Sequence, residues 1–149
     1  EGFVDHLEPQ VEGHVANVTE LAFLEPGSVN FAFASNLFEH ISQSDFASVL
    51  EQLKRALVAG GTLNILQPNY YYCYREYFDD YTHRWVFTDV SLPAMLRANG
   101  FRVLEVRRKF LPYSLQGARV PITRFLVSAY LRSPIKPMAG QMLVVAAKE

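Results

Sequence analysis

The chain has 149 residues and a single cysteine, Cys73. That excludes a disulfide framework and any Cys-rich zinc site. No uninterrupted apolar run approaches the roughly 18 residues of a membrane-spanning helix. No basic-then-apolar leader with a small-residue cleavage site opens the chain, and a cytoplasmic location, free or peripheral to a membrane, is expected. Charged residues are sparse, at 19%, and the formal net charge is −1. Nucleic-acid binding driven by bulk charge is therefore not expected. The chain opens Glu1-Gly2-Phe3 without methionine, so upstream residues are expected.

What is present is apolar. Half of the residues are hydrophobic and 13% are aromatic, enough to bury a core, and the length suits one domain. The small net charge conceals an asymmetry. Residues 1–105 carry 14 acidic and 6 basic side chains, whereas residues 106–149 carry 8 basic side chains and one acid. Such polarity can mark a surface for an anionic partner, or only solvated faces.

Strand and helix patterns alternate. Residues 14–18 read as a short strand, and Val29 to Ala34 as an apolar, interior-type strand. Phe46, Val49, Leu50, Leu53 and Leu57 form one helical stripe after Ser44-Asp45. Gly60-Gly61 is expected to stop that helix, and residues 62–66 read as the next strand. Residues 70–87 gather six tyrosines with Phe78, His83, Trp85 and Phe87, and read as loop and short helix. A helix from Thr88-Asp89 to Asn99-Gly100, a strand at 101–106, a helix at 121–132 and a strand at 142–147 follow. Alternation of this kind predicts an α/β fold with a mostly parallel sheet. Ligands in such sheets bind beyond the carboxyl ends of the strands.

Three phrases in order carry a resemblance. They are Ser35-Asn36-Leu37-Phe38-Glu39-His40; then Lys54-Arg55-Ala56-Leu57-Val58-Ala59-Gly60-Gly61; then Leu96-Arg97-Ala98-Asn99-Gly100-Phe101. Together they resemble the second half of a class I S-adenosylmethionine-dependent methyltransferase. The resemblance implies a Rossmann-like sheet ordered 3-2-1-4-5-7-6 with its last strand antiparallel. It implies S-adenosylmethionine as cofactor and S-adenosylhomocysteine as product. The family's Gly-rich loop and the strand before it are absent from these residues. The chain thus reads as a single partial domain, whose strand at 29–34 needs an upstream segment or a second copy to cover its edge.

The resemblance implies that Ser35, Asn36 and Leu37 line the cofactor cleft, with Asn17 and Val18 near the adenine and Asp5 near the ribose. His40 reads as a cleft-lining residue or a base, or else as a residue that caps or packs the start of the following helix. His83 reads as a catalytic residue or, more simply, as part of a packed aromatic lid. Glu39 reads as a structural hydrogen-bonding residue. His40 and His83 with Asp79 and Asp80 match no metal-ligand spacing, so no metal is expected. Asn69, Tyr70, Tyr71, Tyr81 and Trp85 are expected to bind a small-molecule or glycan-like acceptor, since Tyr and Trp offer broad amphipathic surfaces. The helix at 121–132 is expected to pack on its own sheet, with peripheral membrane contact as the other reading. A methyltransferase-like module without catalysis is the alternative function.

Overall fold

The computed structural model describes residues 11–113 and 123–149. Its centre is a four-stranded sheet in the order β1-β2-β4-β3. The strands are β1 (Val29–Ser35), β2 (Leu57–Pro68), β3 (Phe101–Pro112) and β4 (Ala139–Lys148). β1 and β2 are parallel, and β4 runs antiparallel to both β2 and β3. This is the 4-5-7-6 side of the expected sheet.

Alternation along β2 and β4 points one face of the sheet at the helices. Leu63 and Ile65 of β2 pair with Ala146 and Val144 of β4, and all four are buried. Helix α1 (Gln43–Ala56) lays Phe46, Val49, Leu50 and Leu53 on this face, and α3 (Ser91–Ala98) adds Leu92 and Leu96. Ser42 starts α1 with a capping box: its hydroxyl accepts from Asp45 N–H, and the Asp45 carboxylate accepts from Ser42 N–H. On the other face, Phe31 and Phe33 of β1 are 60% and 57% exposed. β1 is an edge of the described sheet.

Four sequence expectations are corrected. Residues 14–18 form no strand. Asn17 Oδ1 instead accepts from the Thr19 N–H and hydroxyl, a local turn that competes with strand pairing. α1 ends at Ala56, before the glycines. Gly60 takes φ +75° within a bulge of β2, between the Val29↔Leu57 and Phe31↔Thr62 pairs. β3 and β4 are longer than the runs read from sequence, because cross-strand bonding continues past the apolar stretch. Helix α4 (Arg124–Arg132), started by the Thr123 hydroxyl accepting from Leu126 N–H, has no buried residue. It is not seated on the sheet as expected. Pro121 and Ile122 lie outside the described residues, as does Asp5.

The aromatic segment does contain a short helix, α2 (Tyr70–Cys73), followed by a 3-10 turn at Tyr77–Asp79.

Candidate active site

A cleft of about 1100 Å³ opens at the carboxyl ends of β1, β2 and β3. Asn36 and Pro68 come from the first two strand ends, and Lys109 and Tyr113 from the third. Ala139 and Gln141 enter from the start of the antiparallel β4. Two residues without a glycine's freedom, Asn36 (φ 47°) and Met138 (φ 56°), hold left-handed backbone, and both line this cleft. Such strain is found preferentially at functional sites. Asn36 is held there by its N–H, which donates to Leu66 O at 2.9 Å.

The floor is built from two segments tied together. Phe38–His40 form a single 3-10 turn after β1. The loop at 82–85 crosses it with three bonds. Arg84 N–H donates to Glu39 O at 2.8 Å. Trp85 Nε1 donates to Phe38 O at 2.8 Å. Thr82 Oγ1 lies 2.9 Å from His40 Nδ1. Beneath them Trp85, Phe46 and Phe87 pack edge to face or tilted, which fixes the loop to the core.

These bonds assign the histidine protons. The Thr82 hydroxyl is also 2.5 Å from Asp80 Oδ1. Bonding from Thr82 holds the Asp80 carboxyl below its ordinary range, so Asp80 accepts and the hydroxyl hydrogen is spent on it. Thr82 Oγ1 therefore accepts from His40 Nδ1–H. His83 Nδ1 is 2.6 Å from Tyr77 O, and a carbonyl only accepts, so His83 also carries its hydrogen on Nδ1. Nε2 is then the remaining nitrogen of each ring, and that of His83 lies 3.8 Å from Asp80 Oδ2. The two rings lie 4.8 Å apart, centroid to centroid.

Glu39 lies beside them. It is 0% exposed, yet neither carboxylate oxygen has a hydrogen-bond partner among the described residues. The structural hydrogen bonds expected of this side chain are not made. Burial pushes its carboxyl up from the ordinary value, as an unpaired charge in a low-dielectric site requires.

No protein-family model and no curated protein matches the chain. Solved structures do. A SAM-dependent methyltransferase from Archaeoglobus fulgidus superposes with a TM-score of 0.67 at 16% identity, over 99% of this chain and 72% of that one. The chain has the fold of the S-adenosylmethionine-dependent methyltransferases. A second such enzyme, from Methanosarcina mazei, gives a TM-score of 0.60 at 16% identity, over 91% of this chain and 66% of its own. Geranyl diphosphate C-methyltransferase from Streptomyces coelicolor, in complex with Mg2+, geranyl diphosphate and S-adenosyl-L-homocysteine, gives 0.61 at 13% identity. This chain aligns over 91% of its length with that protein and spans 54% of it.

Within this methyltransferase fold, the expected site residues divide. Asn36, His40, Tyr81 and His83 line the cleft together. Tyr81 stands at the rim, 92% exposed. Ser35 is exposed at the end of β1, and Leu37 packs against the core. Asn69 does not line the cleft. It is buried and its side chain is fully used, with Nδ2 donating to Asp89 Oδ1 and Arg108 O, and Oδ1 accepting from Tyr71 N–H. Tyr70 packs edge to face on Tyr77, Tyr71 points to solvent, and Trp85, partly buried, packs against the core. Asn17 is exposed in its turn and Val18 packs on the core, both away from the cleft. Tyr72, Lys109 and Tyr113 line the cleft and were not expected from sequence. Lys109 Nζ sits 4.5 Å from the Tyr72 ring centroid. Only the aromatic density of residues 70–87 hinted at Tyr72. Nothing in the local sequence marks Lys109 or Tyr113, because their place depends on β3 running on to Pro112.

Proposed function

We propose that this protein transfers a methyl group from S-adenosylmethionine to a small-molecule or glycan-like acceptor. The observation that carries the reading is the cleft at the carboxyl ends of the strands of a methyltransferase fold, lined by Asn36, His40 and His83. The cofactor would lie toward Ser35, Asn36 and Leu37, and the acceptor against Tyr72, Tyr81 and Tyr113. Bound there, S-adenosylmethionine would supply its sulfonium methyl to an acceptor hydroxyl or amine held in line, with S-adenosylhomocysteine as the leaving product. His40 or His83 takes the acceptor proton on Nε2. The protein's main contribution is to align donor and acceptor.

The cleft volume suits a metabolite-sized acceptor, and its tyrosine-rich wall supports a ring-shaped one, sugar or aromatic. The exposed apolar residues of α4, Phe125 at 80% and Leu131 at 40%, flanked by Arg124 and Arg132, support peripheral contact with an anionic membrane. No described helix is long and apolar enough to cross a membrane.

Calorimetric titration of S-adenosylhomocysteine into the 149-residue chain and into the full natural gene product tests the reading. Saturable binding to either supports it. Absence of binding to both overturns it in favour of a module without catalysis.

A further inference from the structure

We propose that Glu39, His40 and His83 form a binding site for a divalent transition-metal ion, of the Zn2+ class, on the floor of the cleft. One ligand atom from each of the three lies within 4.8 Å of the others. Two imidazoles and a carboxylate are a sufficient protein donor set for such an ion, with further positions left to water or substrate.

Three features go beyond proximity. First, both carboxylate oxygens of Glu39 are buried and have no partner among the described residues, while the residue lines the cleft. A buried carboxylate of this kind is ordinarily paired or metal-bound. Second, with Nδ1 engaged, each histidine keeps Nε2 as its remaining donor atom, that of His83 lying 3.8 Å from Asp80 Oδ2. Third, each Nδ1–H is already bonded behind the ring, His83 to Tyr77 O and His40 to Thr82 Oγ1. Such bonds orient ligating imidazoles and raise their basicity. Thr82 is in turn fixed by Asp80, so the support behind His40 extends one residue further.

Imidazole nitrogen favours Zn2+, Co2+ or Ni2+ over Mg2+, which prefers oxygen. With metal–ligand distances of roughly 2.1 Å, donors sit closer together than 4.8 Å, so the side chains contract on binding. A bound ion would polarise an acceptor oxygen. His40 and His83 would then act as ligands rather than bases. The site does not depend on the methyl-transfer reading, because the ion is held by this chain's own side chains.

The test is titration of the metal-free chain with Co2+, read by visible absorption, and with Zn2+, read by calorimetry and thermal melting. The expected result is one ion per chain, a rise in Tm with Zn2+, and displacement of Co2+ by Zn2+. Mg2+ should produce neither signal. Glu39→Gln, His40→Gln and His83→Gln should each weaken binding by more than about 100-fold, and Thr82→Val by about 10-fold. Far-ultraviolet circular dichroism checks that each variant folds. Glu39→Gln is near-isosteric and removes a buried charge, so it carries the test if His83→Gln does not fold. Absence of stoichiometric Co2+ binding, or binding unchanged in Glu39→Gln and His40→Gln, overturns the proposal. S-adenosylhomocysteine binding is read separately, so failure here leaves the cofactor reading standing.

Discussion

His40 Nδ1 donates to Thr82 Oγ1 across 2.9 Å, joining two segments 42 residues apart in the chain. That bond decides which nitrogen of His40 faces the cleft, and therefore whether the residue offers a lone pair or a proton there. Thr82→Val removes the acceptor and keeps the shape. Nitrogen-15 spectra of His40 are expected to show a single Nδ1–H tautomer in the parent and a mixture in the variant. The stability loss should be about 1 kcal/mol, the usual worth of one hydrogen bond. An unchanged single tautomer would show that Thr82 does not set it.

Burial pushes the Cys73 thiol up to about 12, with Glu76 and Glu39 adding to the effect. Tyr113, also through burial, is pushed up to about 12. Both are acids whose folded values exceed their unfolded ones. Their contribution to stability is complete below about pH 9 and is lost as pH rises toward 12. Denaturant titrations are expected to show a midpoint that falls from about pH 9 upward, with a shallower fall in Cys73→Ala. The thiol is 2% exposed and donates to Asn69 O at 3.2 Å. Iodoacetamide should therefore label it slowly in the native protein at pH 8 and rapidly in denaturant.

Phe31 and Phe33 project from the same side of the edge strand β1 and are more than half exposed. Exposed apolar edges favour association with another chain or segment. Sedimentation velocity of this chain should show concentration-dependent self-association, and Phe31→Ser with Phe33→Ser should suppress it. Because the rings are largely solvated already, the cost in unfolding free energy should stay near 1 kcal/mol. Equal association by parent and variant would remove this face from consideration.

Helix α4 is capped at its end by Lys136, whose ammonium donates to Tyr130 O and Leu131 O. This placement suits the negative end of the helix. With Phe125 and Leu131 outward and Arg124 and Arg132 nearby, co-sedimentation with anionic vesicles is expected, and Phe125→Asp should reduce it about tenfold. Binding to neutral vesicles alone, or none at all, would refute the membrane contact.

The legible parts of the sequence are those set by local pattern. The stripe from Phe46 to Leu53 marked a helix because a buried face must recur every three to four residues. The apolar runs at 29–34, 62–66, 101–106 and 142–147 marked strands because both faces or one face must be covered. The false strand at 14–18 shows the limit. Val15 is 85% exposed, and a side-chain-capped turn at Asn17 satisfies the backbone locally, which no alternation count reveals. Gly60-Gly61 was read as a helix stop, yet Leu57 already closes α1 by donating its N–H to Leu53 O. The glycines serve the β2 bulge.

The sequence by itself determined the strand–helix order from Val29 onward, the buried stripe of α1, and that Asn36 and His40 directly follow a strand, since each follows from periodicity or from a phrase of consecutive residues. Only the tertiary structure decided that Asn69 and Trp85 are structural, that Tyr72, Lys109 and Tyr113 line the cleft, and that Glu39 joins the two histidines. Those facts depend on where the 82–85 loop crosses the 38–40 turn and on how far β3 extends. Such meetings between distant segments are fixed by packing and hydrogen bonding across the fold, which no spacing along the chain records.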